Sequence, residues 1–168
     1  TGSMRAGKSV FAKSANTVKK VNLELGGNAP VLVTSNANLD KAVDYIVTAR
    51  INNAGQVCTC PERIFVHKAI HSTFINKLKE KMQSLTVGDP FDNNGAQLIT
   101  GGHIIDRPGY FYEPTILDQV DPDDSAFKEE IFGPVLPIVQ YNNFDEAIEQ
   151  ANNTNAGLSS YIFSEDLK

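Results

Sequence analysis

The feature that most constrains the fold is a repeated change of apolar period along the chain. Ala29 to Thr34 is a strand-length apolar run, and from Leu39 the residues Ala42, Val43, Ile46, Val47 and Ile51 fall on one helical face ending near Gly55. Arg63 to His67 reads as a strand again. Phe74, Leu78, Met82 and Leu85 then mark a helix closed by Gly88-Asp89-Pro90. Short extended pieces at Gln97 to Thr100 and Tyr110 to Leu117 follow, with Gly101-Gly102 and Pro108-Gly109 as turns. The cycle closes with a buried strand from Pro134 to Tyr141, a helix from Phe144 to Ala151 and a strand from Leu158 to Phe163. Upstream, Val21 to Leu25 alternates like a strand and stops at Gly26-Gly27. Ser3 reads as the N-cap of a helix carrying Val10, Phe11, Ser14 and Ala15. Strands alternating with helices predict an α/β fold, an open and mostly parallel sheet with helices on both faces. At 168 residues the chain can build one domain with a proper core.

Composition removes several function classes. A net charge of −5 with scattered Lys and Arg argues against a nucleic-acid surface. No apolar run approaches the roughly 20 residues of a membrane span, and no secretory signal is present. The two cysteines, Cys58 and Cys60, lie too close together to staple a fold, which points to a reducing compartment, with the cytoplasm as the expected location. Thiols at i and i+2 without paired histidines do not make a metal site, so none is expected. His67, His71 and His103 are separated and read as surface.

The chemistry centres on Asn52 to Cys60, where a helical run gives way to a strand and Cys58 sits on the loop between them. A thiol held between two rigid elements is where a nucleophile can meet substrate. The alternative is a small buried hydrophobe, the commoner fate of a free cysteine. Glu24 interrupts an apolar run ahead of two glycines. It reads either as a paired or edge carboxylate or as a general base, whose pKa burial between Leu23 and Leu25 would raise. Gly26-Gly27 would let the backbone turn sharply there. The turn ending at Gly2-Ser3 offers helix N-terminal N–H groups that suit phosphate, or simply caps a helix. Glu129-Glu130 could be a solvated acidic pair and Phe132 a core residue; alternatively, the carboxylate could accept hydrogen bonds from a ligand on which the ring packs.

Three motifs in order, Glu24-Leu25-Gly26-Gly27, Gly55-Gln56-Val57-Cys58 and Glu130-Ile131-Phe132-Gly133-Pro134-Val135, resemble those of the aldehyde dehydrogenase superfamily. Thr1-Gly2-Ser3-Met4-Arg5-Ala6-Gly7 is similar to that family's dinucleotide-facing Thr-Gly-Ser-x-x-x-Gly segment. The resemblance implies an enzyme that oxidises a small aldehyde to a carboxylic acid with NAD or NADP, the sequence leaving the choice of cofactor open. It implies Cys58 as the nucleophile rather than Cys60, and Glu24 as the group activating water against a thioester, which points away from the acyl-CoA-forming branch. It places Gly2, Ser3, Gly7, Leu25, Glu130 and Phe132 on the cofactor side and Val57 and Thr59 on the substrate side. Glu113-Pro114-Thr115 matches a segment taken as structural. The run Cys58-Thr59-Cys60-Pro61-Glu62-Arg63 most resembles the lactaldehyde and glycolaldehyde dehydrogenase branch. A rival reading is a non-catalytic domain that keeps the fold for binding or structure.

The resemblance also sets expectations about extent. The whole of 1–168 reads as a catalytic-domain fragment, because the chain opens inside a family motif and carries no glycine-rich dinucleotide fingerprint. An oxyanion asparagine, a dinucleotide-binding domain and oligomerisation strands would lie elsewhere in a homo-oligomeric parent, leaving the fragment inactive alone. Asp92-Asn93-Asn94 runs directly into Gly95-Ala96-Gln97-Leu98, where the family has a further loop and an amphipathic helix of about 20 residues together. A break is therefore expected at Asn94–Gly95, either a gap or a true deletion.

Overall fold

A computed structural model describes residues 1–87, 96–97, 106 and 109–166. Five strands form one sheet: β1 (Ala29–Val33), β2 (Pro61–His67), β5 (Thr115–Leu117), β6 (Val135–Tyr141) and β7 (Tyr161–Phe163). Their order is β5-β6-β2-β1-β7 and all four pairings are parallel. Two-residue strands β3 (Thr86–Val87) and β4 (Ala96–Gln97) pair antiparallel apart from it. The predicted α/β class is the one observed.

Parallel strands covered on both faces carry apolar residues on both, which is why β1, β2 and β6 read as continuous runs. Val31, Val33, Ile64, Val66, Leu136 and Ile138 face helices α2 (Leu39–Ile51) and α3 (His71–Gln83), which contribute Ala42, Ile46, Val47, Phe74, Leu78 and Met82. Leu32, Phe65, Val139 and Tyr141 face the other way. They meet Phe127 of α4 (Ser125–Lys128) and Ala147 and Ala151 of α5 (Phe144–Asn152). Each Val, Leu, Ile, Phe or Met among them contributes about 1.5–3 kcal/mol when fully buried.

Several boundaries differ from the sequence reading. Val21 to Leu25 is not a strand: Leu25 makes only an isolated parallel bridge with Gly2. β5 and β7 are shorter than expected, and α4, capped by Asp124 Oδ1 on the Ala126 N–H, was not foreseen. Ser3 does cap α1 (Met4–Ala15), its hydroxyl accepting from Ala6 N–H at 3.3 Å. Val10 and Phe11 of that helix are exposed, so the helix joins neither core cluster. His71 is buried rather than on the surface, with Nε2 2.8 Å from Asp118 Oδ1. His103 and the Asn94–Gly95 junction lie outside the described residues. No helix among those described is long and apolar enough to cross a membrane.

Candidate active site

The motif residues gather at one rim of the sheet, in the segments entering β1, β2 and β6. This is the amino end of the strands, opposite to the carboxyl-end crevice that open α/β sheets most often use. Glycine makes the convergence possible. A Cβ on Gly27 would run into the carbonyl oxygen of Cys58, and one on Gly26 into the Glu130 carboxylate. Gly55, at φ +78°, lies so close to the Gly133 carbonyl that a side chain has no room, and L-residues rarely adopt that φ. The three motifs therefore interlock through backbone.

Cys58 sits half-buried in the turn before β2. Cys60 is only 2% exposed, its thiol donates to the Ala49 carbonyl at 3.2 Å, and burial pushes its pKa up. A buried thiol with a raised pKa is a poor nucleophile, so the two cysteines are separated by environment as well as by motif. Thr59 is exposed and its carbonyl accepts from Tyr161 Oη at 2.6 Å; Val57 is half-buried and its carbonyl accepts from Cys60 N–H.

Glu24 is exposed, so the burial expected between Leu23 and Leu25 is not formed. The reason is the missing strand: with only one bridge at Leu25, the segment is not enclosed by neighbours. Its backbone carbonyl accepts from Gly2 N–H at 3.1 Å, tying the 1–3 segment to the Gly26-Gly27 turn. Gly7 is buried against the Leu25 side chain. Glu130 Oε1 accepts from Gly27 N–H at 2.9 Å. A cleft of about 540 Å³ opens beside it, lined by Ser3, Met4, Gly26, Gly27 and Glu130. Phe132, 54% exposed, faces a separate groove with Gln56, Tyr110 and Tyr112. The structure thus brings Ser3, Gly26 and Glu130 together and sets Phe132 apart from them. No cluster of three metal-ligating side chains occurs among the described residues.

Beneath these loops lies a layer of buried charge. Arg50, fully buried at the end of α2, donates from Nη1 to Pro61 O at 3.0 Å and Glu62 Oε1 at 3.2 Å, and from Nη2 to Ile131 O at 2.5 Å. Glu62 Oε2 accepts from Ile131 N–H at 3.1 Å. Burial lifts the Glu62 carboxyl to about 7, against the opposing pull of Arg50. Arg63 donates to Asn28 O and to the Gln150 and Ala151 carbonyls at the end of α5, while Asn28 Nδ2 donates to the Phe127 and Lys128 carbonyls. The available signal was Glu62-Arg63 at the head of an apolar strand, where charge is costly unless paired.

Fold and site together define an α/β domain with a half-buried cysteine on a glycine-locked loop. The model of the aldehyde dehydrogenase family matches residues 1–94 and 91–168, and the chain belongs to that family. It is 38% identical over 193 aligned positions to lactaldehyde dehydrogenase of Escherichia coli, covering 99% of this chain and 40% of that protein. It is equally similar to succinate-semialdehyde dehydrogenase [NADP(+)] 2 of Schizosaccharomyces pombe, at 38% over 193 positions, 99% of this chain and 39% of that protein. A crystal structure of the Escherichia coli lactaldehyde dehydrogenase superposes with a TM-score of 0.91 at 38% identity, over 99% of this chain and 40% of the other. The chain therefore spans about two fifths of the length of these relatives.

Proposed function

We propose that this chain is the catalytic portion of an NAD- or NADP-dependent aldehyde dehydrogenase that converts a small aldehyde to its carboxylic acid. The observation that carries this is the interlocked rim. Gly27 lies under the Cys58 carbonyl, Glu130 lies on Gly27 N–H, and one half-buried cysteine is distinguished from one buried cysteine. The cleft beside the α1 N-terminus has Ser3, Gly26 and Glu130 on its walls, and a helix N-terminus suits the phosphates of the family's dinucleotide. Gly2, Ser3, Gly7, Leu25, Glu130 and Phe132 would hold or seat the cofactor, which supplies the hydride acceptor when bound.

The chain's own residues account for the rest. Cys58 Sγ, as thiolate, adds to the aldehyde carbon, and the carbonyl π pair moves onto oxygen to give a thiohemiacetal. The Cys58 backbone N–H would donate to that oxygen, a role that belongs to this reading of the loop. Loss of hydride from carbon restores the C=O as a thioester on Cys58. Glu24, free in solvent on a segment ending at two glycines, takes a proton from water. The hydroxide attacks the thioester, and the thiolate leaves with release of the acid. Val57 and Thr59 flank the substrate.

The parent is read as a longer, cytoplasmic, homo-oligomeric protein, and a helix with its loop as absent beside Asn94–Gly95. Support for the second point is the division of the family match at residues 91–94 and the length of the alignments, 193 positions for a 168-residue chain. The test is aldehyde-dependent reduction of NAD and of NADP by the full-length protein. Cys58→Ala is expected to abolish it and Cys60→Ala to keep most of it. Equal loss from both would overturn the assignment, and reduction that requires coenzyme A would favour the acyl-CoA-forming alternative. The isolated 168-residue chain is expected to show no turnover.

A further inference from the structure

Arg50 and Glu62 bracket the loop that carries Cys58: one ends the helix before it and the other opens the strand after it. Both reach across to the same residue of a different segment. Arg50 Nη2 donates to the Ile131 carbonyl and Glu62 Oε2 accepts from the Ile131 N–H, so the backbone of Ile131 is gripped at both polar atoms. Its neighbours on either side are Glu130, bonded to Gly27 N–H, and Phe132, which faces a separate groove. A pair used only to stabilise the fold has no need to converge on one exposed loop.

We infer that Arg50 and Glu62 are positioning residues that set Glu130 and Phe132 relative to the Cys58 loop, and that ionisation of Glu62 closes this clamp. The inference rests on the reading of 130–134 as the cofactor side. When ionised, Glu62 neutralises buried Arg50 and makes a charge-assisted bond to Ile131 N–H, stronger than a neutral one. When protonated it loses the ion pair, and Arg50 is left with the carbonyls of Pro61 and Ile131. The charged and titratable groups facing Glu62 are Arg50 from α2, Glu130 from the loop, and Arg63 and Cys60 from its own segment. Arg50 and the Ile131 N–H favour the ionised form while burial and Glu130 oppose it, so the balance falls near neutral pH.

The experiment compares the full-length enzyme with its Glu62→Gln variant on both sides of pH 7. Two quantities are read: the cofactor KM and the hydrogen-exchange protection of the Ile131 amide. Loss of one bond to a charged group is worth about a factor of ten. In the wild type the cofactor KM is expected to rise, and Ile131 protection to fall, by about that factor as the pH drops through 7. Glu62→Gln is expected to hold the acid-side values of both at every pH. A variant that keeps the wild-type pH dependence would overturn the inference. So would a parallel fall of kcat and melting temperature without a change in KM, the mark of a purely structural pair. If the variant does not fold, the wild-type protection of Ile131 still decides, a flat profile being fatal. If the wild type does not oxidise aldehydes, the function proposed above fails, whereas the exchange data judge the clamp independently.

Discussion

Gly27→Ala should separate packing from chemistry at the rim. The new methyl carbon would lie 2.3 Å from the Cys58 carbonyl oxygen, a backbone atom that cannot rotate away. Only a shift of the nucleophile loop, on the order of 1 Å, makes room, and misplacement of that size costs about 100-fold in rate. Overpacking of this kind destabilises by about 1–3 kcal/mol, so much of the protein should still fold. Gly157→Ala is the control: nothing lies within 4 Å of its added Cβ, and its cost should stay within about 0.5 kcal/mol. Turnover of the full-length enzyme, iodoacetamide alkylation of Cys58 and the urea midpoint should be read together. Expected for Gly27→Ala is a large loss of turnover, an altered alkylation rate and a modest fall in midpoint. Wild-type turnover with unchanged alkylation would show that the contact does not set the thiol's place.

Glu24→Gln should spare acylation and block deacylation, giving a burst of reduced cofactor and a thioester on Cys58 detectable by mass; unchanged steady-state turnover would move the base elsewhere. Stability should carry the signature of Glu62. With its carboxyl raised from 4.5 to about 7, the folded state binds the proton more tightly than the unfolded one. Stability from this group is thus full below 4.5 and lost as pH rises through 7, by on the order of 3 kcal/mol. Urea unfolding of wild type against Glu62→Gln should show that difference between pH 4.5 and 7, and parallel profiles would contradict it.

What could be read from the sequence was whatever depended on local period. β1, α2, β2, α3 and β6 were legible because a parallel sheet needs apolar residues on both faces and its helices need one stripe. Val21 to Leu25 misled because alternation signals a strand only when a neighbour pairs with it, and here only Gly2 does. The glycines were visible as glycines, but their partners were not: Gly26 meets Glu130 across 104 positions of chain, a contact no local pattern encodes. Arg50 and Glu62 escaped for the same reason. Each looks like a surface charge until the other, and Ile131, are brought beside it.

Placing every motif at the amino ends of the strands divides the molecule for the purposes of engineering. All five strands of the main sheet run the same way, so the turns that leave them, at 34–38, 67–71 and 142–143, lie on the far rim. β2 has seven residues and separates the two rims by roughly 20 Å. A fluorophore, an affinity handle or an inserted peptide at the far rim would sit beyond direct reach of the thiol. Site-specific labelling would then need only a cysteine introduced there and a reagent screened against Cys58, since Cys60 is already shielded.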